Sequence, residues 1–220
     1  MMEQPAPARW EQKTTPMRTV AKLVRYGSAL LGACVALFSY RYIAKPGLVP
    51  ANVLANRFFD HWIIVHAGAA STALLIGGVQ FSAILRQRWP VLHRACGWLY
   101  VVSCIFGGVS GVVLAAGVSS GSMAAAGFGV LGMLWVYVTV QGLLRACTRN
   151  FLQHRVWMIR SYALTFAAVT LWVYLPVSQM IGIDFTAAYP WIAWLAWVPN
   201  FLIAEAYVRR SMRPTAAQGR

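Results

Sequence analysis

Six long apolar runs constrain this chain more than any other feature of its sequence. They cover roughly residues 24–44, 60–84, 95–117, 122–145, 156–177 and 188–208. Each is close to the ~20 residues that an α-helix needs to cross the hydrocarbon core of a bilayer. A helix also satisfies its own backbone hydrogen bonds, which lipid cannot do for it. We therefore predict an all-α, polytopic membrane protein with six transmembrane helices.

Composition supports lipid as the solvent for most of the chain. Hydrophobic residues make up 59% of the 220 residues and charged residues only 11%, with a mean hydropathy of +0.58. A water-soluble domain of this size could not bury so much apolar surface. The net charge of +14 would suit nucleic acid, but the basic residues lie between the apolar runs and form no patch interleaved with aromatics. We therefore predict membrane lipid as a partner and no nucleic acid.

The positions of the cations predict the orientation. With the N-terminus inside, only Arg41, Lys45 and Arg57 of the nineteen Lys and Arg residues fall on the outer side. The positive-inside rule then places both termini in the cytoplasm. We expect residues 1–23 to form a cytoplasmic tail, residues 24–208 the transmembrane domain, and residues 209–220 a second cytoplasmic tail. The first tail is too long and too interrupted by proline for a cleaved signal peptide.

Two His-Arg dipeptides, His93-Arg94 and His154-Arg155, each open a long apolar run. On the predicted topology both lie at the cytoplasmic interface. His66 lies nearer the outer end of its helix, so a metal site formed by all three histidines is excluded by distance. The pair His93 and His154 remains as one candidate site.

This histidine pair fits two redox ligands. Two neutral imidazoles from facing helices could ligate the iron of one b-type haem, with Arg94, Arg155 or Arg160 available for its propionates. Without metal, one imidazole could hydrogen-bond a quinone oxygen and relay its proton. The alternative, that histidine and arginine at an interface are ordinary anchors, also remains open.

Arg160 is the residue whose burial in lipid would cost most. An arginine at that depth needs a partner or a water-filled cavity. Glu205 in the sixth run matches its depth, so we predict an Arg160–Glu205 pair that joins the fifth and sixth helices, with Gln80 as another acceptor. Snorkelling of Arg160 to the headgroups is the alternative.

The sixth run contains Pro199 followed by Asn200. Proline leaves a backbone carbonyl without its helical donor, and the amide of Asn200 could satisfy it. The pattern predicts a kink capped by Asn200. A polar cavity lined by Asn200 is the alternative.

Several motifs occur in an order that resembles a known family. They are G-G-V-Q-F at 77–81, L-H-R-x-x-G-x-x-Y at 92–100, and Q-H-R-V-W-M-I-R-S-Y-A-L-T-F-A-A-V-T-L at 153–171. From about residue 60 to 177 the chain resembles a family of predicted bacterial membrane proteins, domain of unknown function 2306. The resemblance implies a multi-pass protein of a bacterial cytoplasmic (inner) membrane. It emphasises His66, Gln80, Arg86, His93, Arg94, His154, Arg155, Trp157, Arg160 and Tyr162.

This sequence departs from the family pattern at one position. Members of the family often carry an arginine after the T-L of the fifth helix, and Trp172 stands there in this chain. The departure argues against a role for charge at that depth.

Three classes of function remain open, and with them the question of whether the protein is an enzyme. The first is a membrane redox component with haem b or quinone between His93 and His154. The second is a small-solute or ion transporter with His66, Gln80, Asn200 and Arg160 along a wet path. Against it, the sequence shows no clear inverted repeat or strongly interrupted helix pair. The third is a non-catalytic membrane subunit that binds lipid or another protein.

Overall fold

The computed structural model describes residue 23, residues 26–44 and residues 54–212. These residues form helices joined by short turns, with no strand among them, so the predicted all-α class is confirmed. Helix α1 covers 26–39. The other helices are α2 (Arg41–Ala44), α3 (Phe59–Gly77), α4 (Ala83–Arg88), α5 (Pro90–Ala116), α6 (Ser122–Cys147), α7 (Phe151–Thr165), α8 (Ala167–Met180), α9 (Phe185–Leu195) and α10 (Val198–Met212).

Five segments of the described chain are long and apolar enough to cross a membrane. They are Phe59–Phe81, Pro90–Ala116, Ser122–Cys147, Phe151–Met180 and Phe185–Met212. The first predicted run is helical over 26–39 but lies partly outside the described residues. The sixth span therefore stays a prediction. The cytoplasmic placement of the termini also stays a prediction, because residues 1–22 and 213–220 lie outside the described part of the chain.

Four helices form the centre of the bundle. α3 packs along α5, α5 along α6, and α6 along α7, while α9 packs against α6 and α8 and α10 packs against α7. α5 and α7 face each other across the interior, where the hydroxyl of Tyr100 contacts those of Ser161 and Thr165 at 2.9 and 2.8 Å. Many large apolar side chains, such as Phe106 and Met133, point outward. This is the arrangement expected where lipid covers the exterior.

Two glycines bring α5 and α6 into backbone contact. A Cβ atom on Gly132 would lie 2.8 Å from the carbonyl oxygen of Gly108, and one on Gly108 would lie 2.5 Å from Cγ2 of Val136. Small residues allow membrane helices to approach this closely. The separation of α5 and α6 is therefore fixed by the absence of side chains at this crossing.

Capping residues place both His-Arg dipeptides inside helices. Pro90 is the first residue of α5, where its missing N–H costs no helical hydrogen bond. Asn150 caps α7 because its side chain accepts a hydrogen bond from the backbone N–H of Gln153 at 3.2 Å. Both helices therefore begin about five residues before the apolar runs of the sequence. His93 and His154 lie in first turns and have helical geometry.

The span from 151 to 180 is interrupted at Phe166, between α7 and α8. The Thr165 hydroxyl donates to the carbonyl of Ser161 at 3.0 Å, and the Thr170 hydroxyl donates to the carbonyl of Phe166 at 3.3 Å. Hydroxyls that bond back to the preceding turn bend helices. No proline or glycine stands at this position, so the break was not predictable from residue type.

The last span is interrupted between α9 and α10, directly before Pro199. The Asn200 amide donates to the carbonyl of Ala196 at 3.0 Å and to the hydroxyl of Thr170 at 2.8 Å. The predicted interruption beside Pro199 is confirmed, but the Asn200 amide bonds the carbonyl of Ala196 and not that of Leu195, which Pro199 leaves without its helical donor. The hydrogen bond to Thr170 joins this short break to the one-residue break at Phe166. The absence of a strongly interrupted helix pair stays a prediction.

The turn before α9 carries a capping carboxylate outside the spans. Asp184 accepts hydrogen bonds from the Thr186 hydroxyl and from its backbone N–H, the latter at 2.8 Å. These two hydrogen bonds hold the pKa of Asp184 below its ordinary value, and the bond from the Thr186 hydroxyl has the larger effect. The cap is therefore present at neutral pH and is lost only when the pH falls through that lowered pKa.

Candidate functional site

The contact between Tyr100 and Ser161 fixes the relative depth of α5 and α7. His93 lies seven residues before Tyr100, and His154 lies seven residues before Ser161. Seven residues are two helical turns, about 10 Å. Because both helices run in the same direction, the two histidines lie at one depth on facing sides of the bundle. Their imidazoles are close enough to interact electrostatically.

We call this end of the molecule the basic end. It is formed by α4, the start of α5, the end of α6, the start of α7 and the end of α10. The positive-inside rule predicts that it faces the cytoplasm. Its arginines among the described residues are Arg86, Arg88, Arg94, Arg145, Arg149, Arg155, Arg209 and Arg210.

The ring of His154 is held by one hydrogen bond. Its Nδ1 lies 2.8 Å from the carbonyl oxygen of Gly142 on α6. Since a carbonyl oxygen only accepts, Nδ1 carries the hydrogen, and Nε2 of the neutral ring keeps its lone pair. Proteins use this arrangement to fix histidines that bind metals.

Two buried polar atoms beside α5 lack a partner. Nδ1 of His93 and Nε2 of Gln80 make no hydrogen bond with any described residue. Gln80 belongs to the 3₁₀ turn Gly78–Phe81 that follows α3. The Oε1 atom of Gln80 lies 3.8 Å from the position that a Cβ atom on Gly97 would take. Gly97 is one helical turn beyond His93, so the Gln80 amide and the His93 ring lie along one stripe of α5. Leaving a buried polar group unpaired costs about 1–3 kcal/mol. The pair is therefore a suitable place for a ligand that supplies partners.

Tyr162 carries a third buried atom without a partner, its hydroxyl. That hydroxyl lies 3.0 Å from the place of a Cβ on Gly78 and 3.7 Å from one on Gly32 of α1. The ring stacks at a tilt against Phe81, with centroids 5.5 Å apart. Tyr162 thus lies against the 3₁₀ turn on the side of α1.

A cluster of hydroxyls, which sequence reasoning did not single out, lies deeper in the bundle. Thr139 contacts Ser161 at 2.6 Å, and the indole N–H of Trp135 donates to Thr165 at 2.9 Å. With Tyr100 these side chains join α5, α6 and α7, and none is more than 6% exposed. The four-residue spacing of Trp135 and Thr139 on α6, and of Ser161 and Thr165 on α7, is the signal that could have revealed it.

Arg160 forms the ion pair predicted from the sequence. Its Nε donates to Oε2 of Glu205 at 2.9 Å, and its Nη2 is equally close to that oxygen. The guanidinium carbon also lies 4.8 Å from the ring centroid of Trp157. The pair between the fifth and sixth predicted helices is confirmed, with Glu205 rather than Gln80 as acceptor. Arg160 would have to leave this pair to bind a haem propionate.

Removal of the Glu205 carboxylate is expected to destabilise the protein through Arg160. In Glu205→Gln the guanidinium remains charged with its side chain only 18% exposed. We expect a loss of about 1–3 kcal/mol in the free energy of unfolding in detergent micelles, between the values for exposed and buried pairs. Arg209→Gln removes the other arginine that pairs with this carboxylate, and the Arg209 side chain is 75% exposed. It should cost less than about 1 kcal/mol. Equal losses in the two variants would contradict this account.

His66 occupies a separate site. Its Nδ1 donates to the carbonyl of Gly107 at 2.9 Å, and Ser110 lies 3.5 Å from the same nitrogen. Gly107 is about 20 Å along α5 from His93. The exclusion of a three-histidine site is confirmed. Within the described ranges no group of three or more His, Cys, Asp or Glu side chains could hold a metal ion.

The remaining arginine candidates divide between two places. Arg86 and Arg94 lie within electrostatic reach of His93. Arg155 instead lines a groove between α7 and α10 on the outside of the bundle. Its predicted role as a cofactor ligand stays a prediction, and Arg86 and Arg94 are the better placed cations.

A charged side chain lies beside Trp172. The guanidinium of Arg41 lies 5.4 Å from the Trp172 ring centroid and 3.9 Å from that of Phe38. The two rings meet edge to face at 5.1 Å. Arg41 on α2 thus brings a cation to the ring of Trp172, which the sequence of the fifth predicted helix alone does not show. The argument against a role for charge at this depth stays a prediction.

The helical bundle, its apolar exterior and its five membrane-length segments define a membrane protein with several transmembrane helices. The chain belongs to the predicted membrane protein family DUF2306, whose model matches residues 63–208. The match includes His66, Gln80, His93, His154, Arg160 and Glu205. No curated protein and no solved structure matches the chain. The description of the family states a membrane protein and no activity, so an argument about function rests on the site.

Proposed function

We propose that this protein is a membrane redox component that binds one quinone at the basic end, between His93 and His154. The observation that carries the proposal is that two buried nitrogen atoms, Nδ1 of His93 and Nε2 of Gln80, have no hydrogen-bond partner among the described residues. A quinone is an apolar, membrane-soluble ring with two carbonyl oxygens that accept hydrogen bonds. The Gln80 amide and the His93 ring can donate to one of them, which removes the cost of their burial.

His154 supplies a second chemical capacity to this site. Because Gly142 holds the hydrogen on Nδ1, Nε2 can accept a proton from a quinol hydroxyl and return it. Arg86 and Arg94 lie near His93 and attract negative charge on a reduced ligand. The residues therefore suit a ligand that exchanges protons as its redox state changes.

Haem b is the second candidate ligand, and one observation favours it. His154 has the Nδ1–H bond to a backbone carbonyl that accompanies many ligating imidazoles. The Nδ1 atom of His93 has no such partner, so only one of the two histidines is held in the way typical of a haem ligand. His93 and His154 would hold the iron, with Arg86 and Arg94 near the propionates. The haem, when bound, would supply one-electron chemistry.

Titration of a short-chain ubiquinone analogue into the full chain in mild detergent tests the site. Gln80→Leu removes the amide donor without adding bulk, and we expect about tenfold weaker binding, the effect of losing one buried hydrogen bond of about 1.4 kcal/mol. His93→Ala and His154→Ala should weaken binding at least as much. His61→Ala changes an exposed histidine on α3 and should leave the affinity unchanged.

Three results would separate the candidates. Binding that is weakened about tenfold or more in all three site variants and unchanged in His61→Ala supports the quinone site. A haem absorbance band that His93→Ala and His154→Ala abolish would support haem instead. Binding that none of the variants changes would contradict a ligand site between the histidines.

Transport is a second function that one observation favours. The breaks at Phe166 and before Pro199 are joined by the Asn200–Thr170 hydrogen bond of 2.8 Å, and interrupted helices line the sites of many transporters. A proton-sensitive dye in proteoliposomes provides the test. Proton flux that falls in Asn200→Leu supports transport, and absence of flux in the wild-type protein contradicts it.

A further inference from the structure

A groove of about 90 Å³ runs between α7 and α10 at the basic end, outside the bundle. Leu152, Val156 and Ile159 of α7 form a helical stripe along it, and Val208 of α10 lies on the other side. Arg155 and Ser211, both exposed, also line the groove, and the Ser211 hydroxyl donates to the backbone carbonyl of Tyr207 at 2.9 Å. The groove thus combines an apolar floor with a cation and a hydroxyl at the ends of two membrane-length segments.

The charge around this groove is positive, and no carboxylate among the described residues is free to balance it. Glu205 is the acidic residue that the described part of α10 carries, and its carboxylate oxygens are occupied by Arg160 and Arg209. Within the described chain, Arg155 and Arg210 form no ion pair with a carboxylate. An anion for Arg155 must therefore come from outside the described part of the protein.

We propose that this groove binds an anionic phospholipid. One acyl chain lies on the stripe of Leu152, Val156 and Ile159, and the phosphate is bound by Arg155 with the Ser211 hydroxyl beside it. A basic pocket between helices at the cytoplasmic side is the kind of surface that selects anionic headgroups. A zwitterionic phospholipid would bring its own cation close to Arg155 and gain less.

The two ends of the chain are poor alternative occupants by charge. Residues 1–22 carry four Lys and Arg side chains against two carboxylates, and are therefore basic like the groove. Residues 213–220 follow α10 directly, but they contain Arg213 and Arg220 and no acidic side chain. Their approach would add positive charge beside Arg155, whereas a phosphate would neutralise it. Charge complementarity therefore favours lipid.

Native mass spectrometry of the full chain with phosphatidylglycerol or phosphatidylcholine tests this proposal. We expect the wild-type protein to retain phosphatidylglycerol preferentially. Arg155→Gln should reduce the preference about fivefold, the factor that corresponds to about 1 kcal/mol per basic residue at an anionic surface. Arg155→Lys should largely restore it. Ile159→Trp fills the floor and keeps the charge, so it should reduce retention of both lipids.

The matched control is Arg88→Gln, which removes an exposed cation from α4 at the same end. It should keep the preference. An equal loss in Arg88→Gln would show that overall charge attracts the lipid, and equal retention of the two lipids by the wild type would show no selection. Either result would overturn the proposal. A rise in phosphatidylglycerol binding after deletion of 213–220 would show that the tail occupies the groove.

Discussion

Gly132→Ala is expected to destabilise the bundle by about 1–3 kcal/mol, the usual cost of forcing a methyl group into a packed interior. The added Cβ would lie 2.8 Å from the backbone carbonyl oxygen of Gly108 and from Cγ2 of Val112. A backbone atom cannot rotate away, so α5 and α6 must separate. The free energy of unfolding in mixed micelles, measured by titration with a denaturing detergent, reports the loss.

Gly129→Ala provides the control on the same helix. Its Cβ would meet only the Cβ of Ala115, at 3.9 Å, which is an ordinary contact. Both substitutions change helix propensity in the same way, so the difference between them isolates the close approach of α5 and α6. If the two variants were equally stable, Gly132 would not determine the packing of these helices.

Tyr100→Phe is expected to cost about 1–3 kcal/mol, because it removes one hydroxyl and leaves buried partners on α7 without it. Tyr100 is 1% exposed and contacts both Ser161 and Thr165. Since this contact sets the relative depth of α5 and α7, we also expect weaker quinone binding two turns away. Unfolding and titration of the same preparation measure the two effects.

Tyr137→Phe makes the same chemical change at a tyrosine on α6 that is 52% exposed. It should leave both stability and quinone binding nearly unchanged. If Tyr100→Phe lowered stability but not binding, the contact would be structural only, and the proposed register of the two histidines would need another cause.

Hydropathy and charge were sufficient to predict the helical membrane class and the Arg160–Glu205 pair. Lipid imposes both, because it demands helices and makes an isolated arginine costly. The same reasoning predicted the break before Pro199, since proline removes a backbone donor. Each of these features depends either on the residues of a single helix or on the depth of two residues in the membrane. Both can be read from the sequence.

Features that depend on the lateral arrangement of helices were not predictable in this way. The hydroxyl cluster requires α5, α6 and α7 to present Tyr100, Thr139 and Ser161 to one another. The charge over Trp172 comes from Arg41, which is distant in the chain and contributes through ring contacts. The break at Phe166 has no proline, and it follows from hydroxyls that bond back along their own helix.

If His93 and His154 form one ligand site, the purified protein should carry a redox ligand that depends on both side chains. The measurement combines a reduced-minus-oxidised spectrum with quinone extraction from full-length protein in mild detergent. We expect about one quinone per chain, lost in His93→Ala and His154→Ala and retained in His61→Ala. A protein that carries neither quinone nor haem, and binds no added quinone analogue, would contradict this expectation.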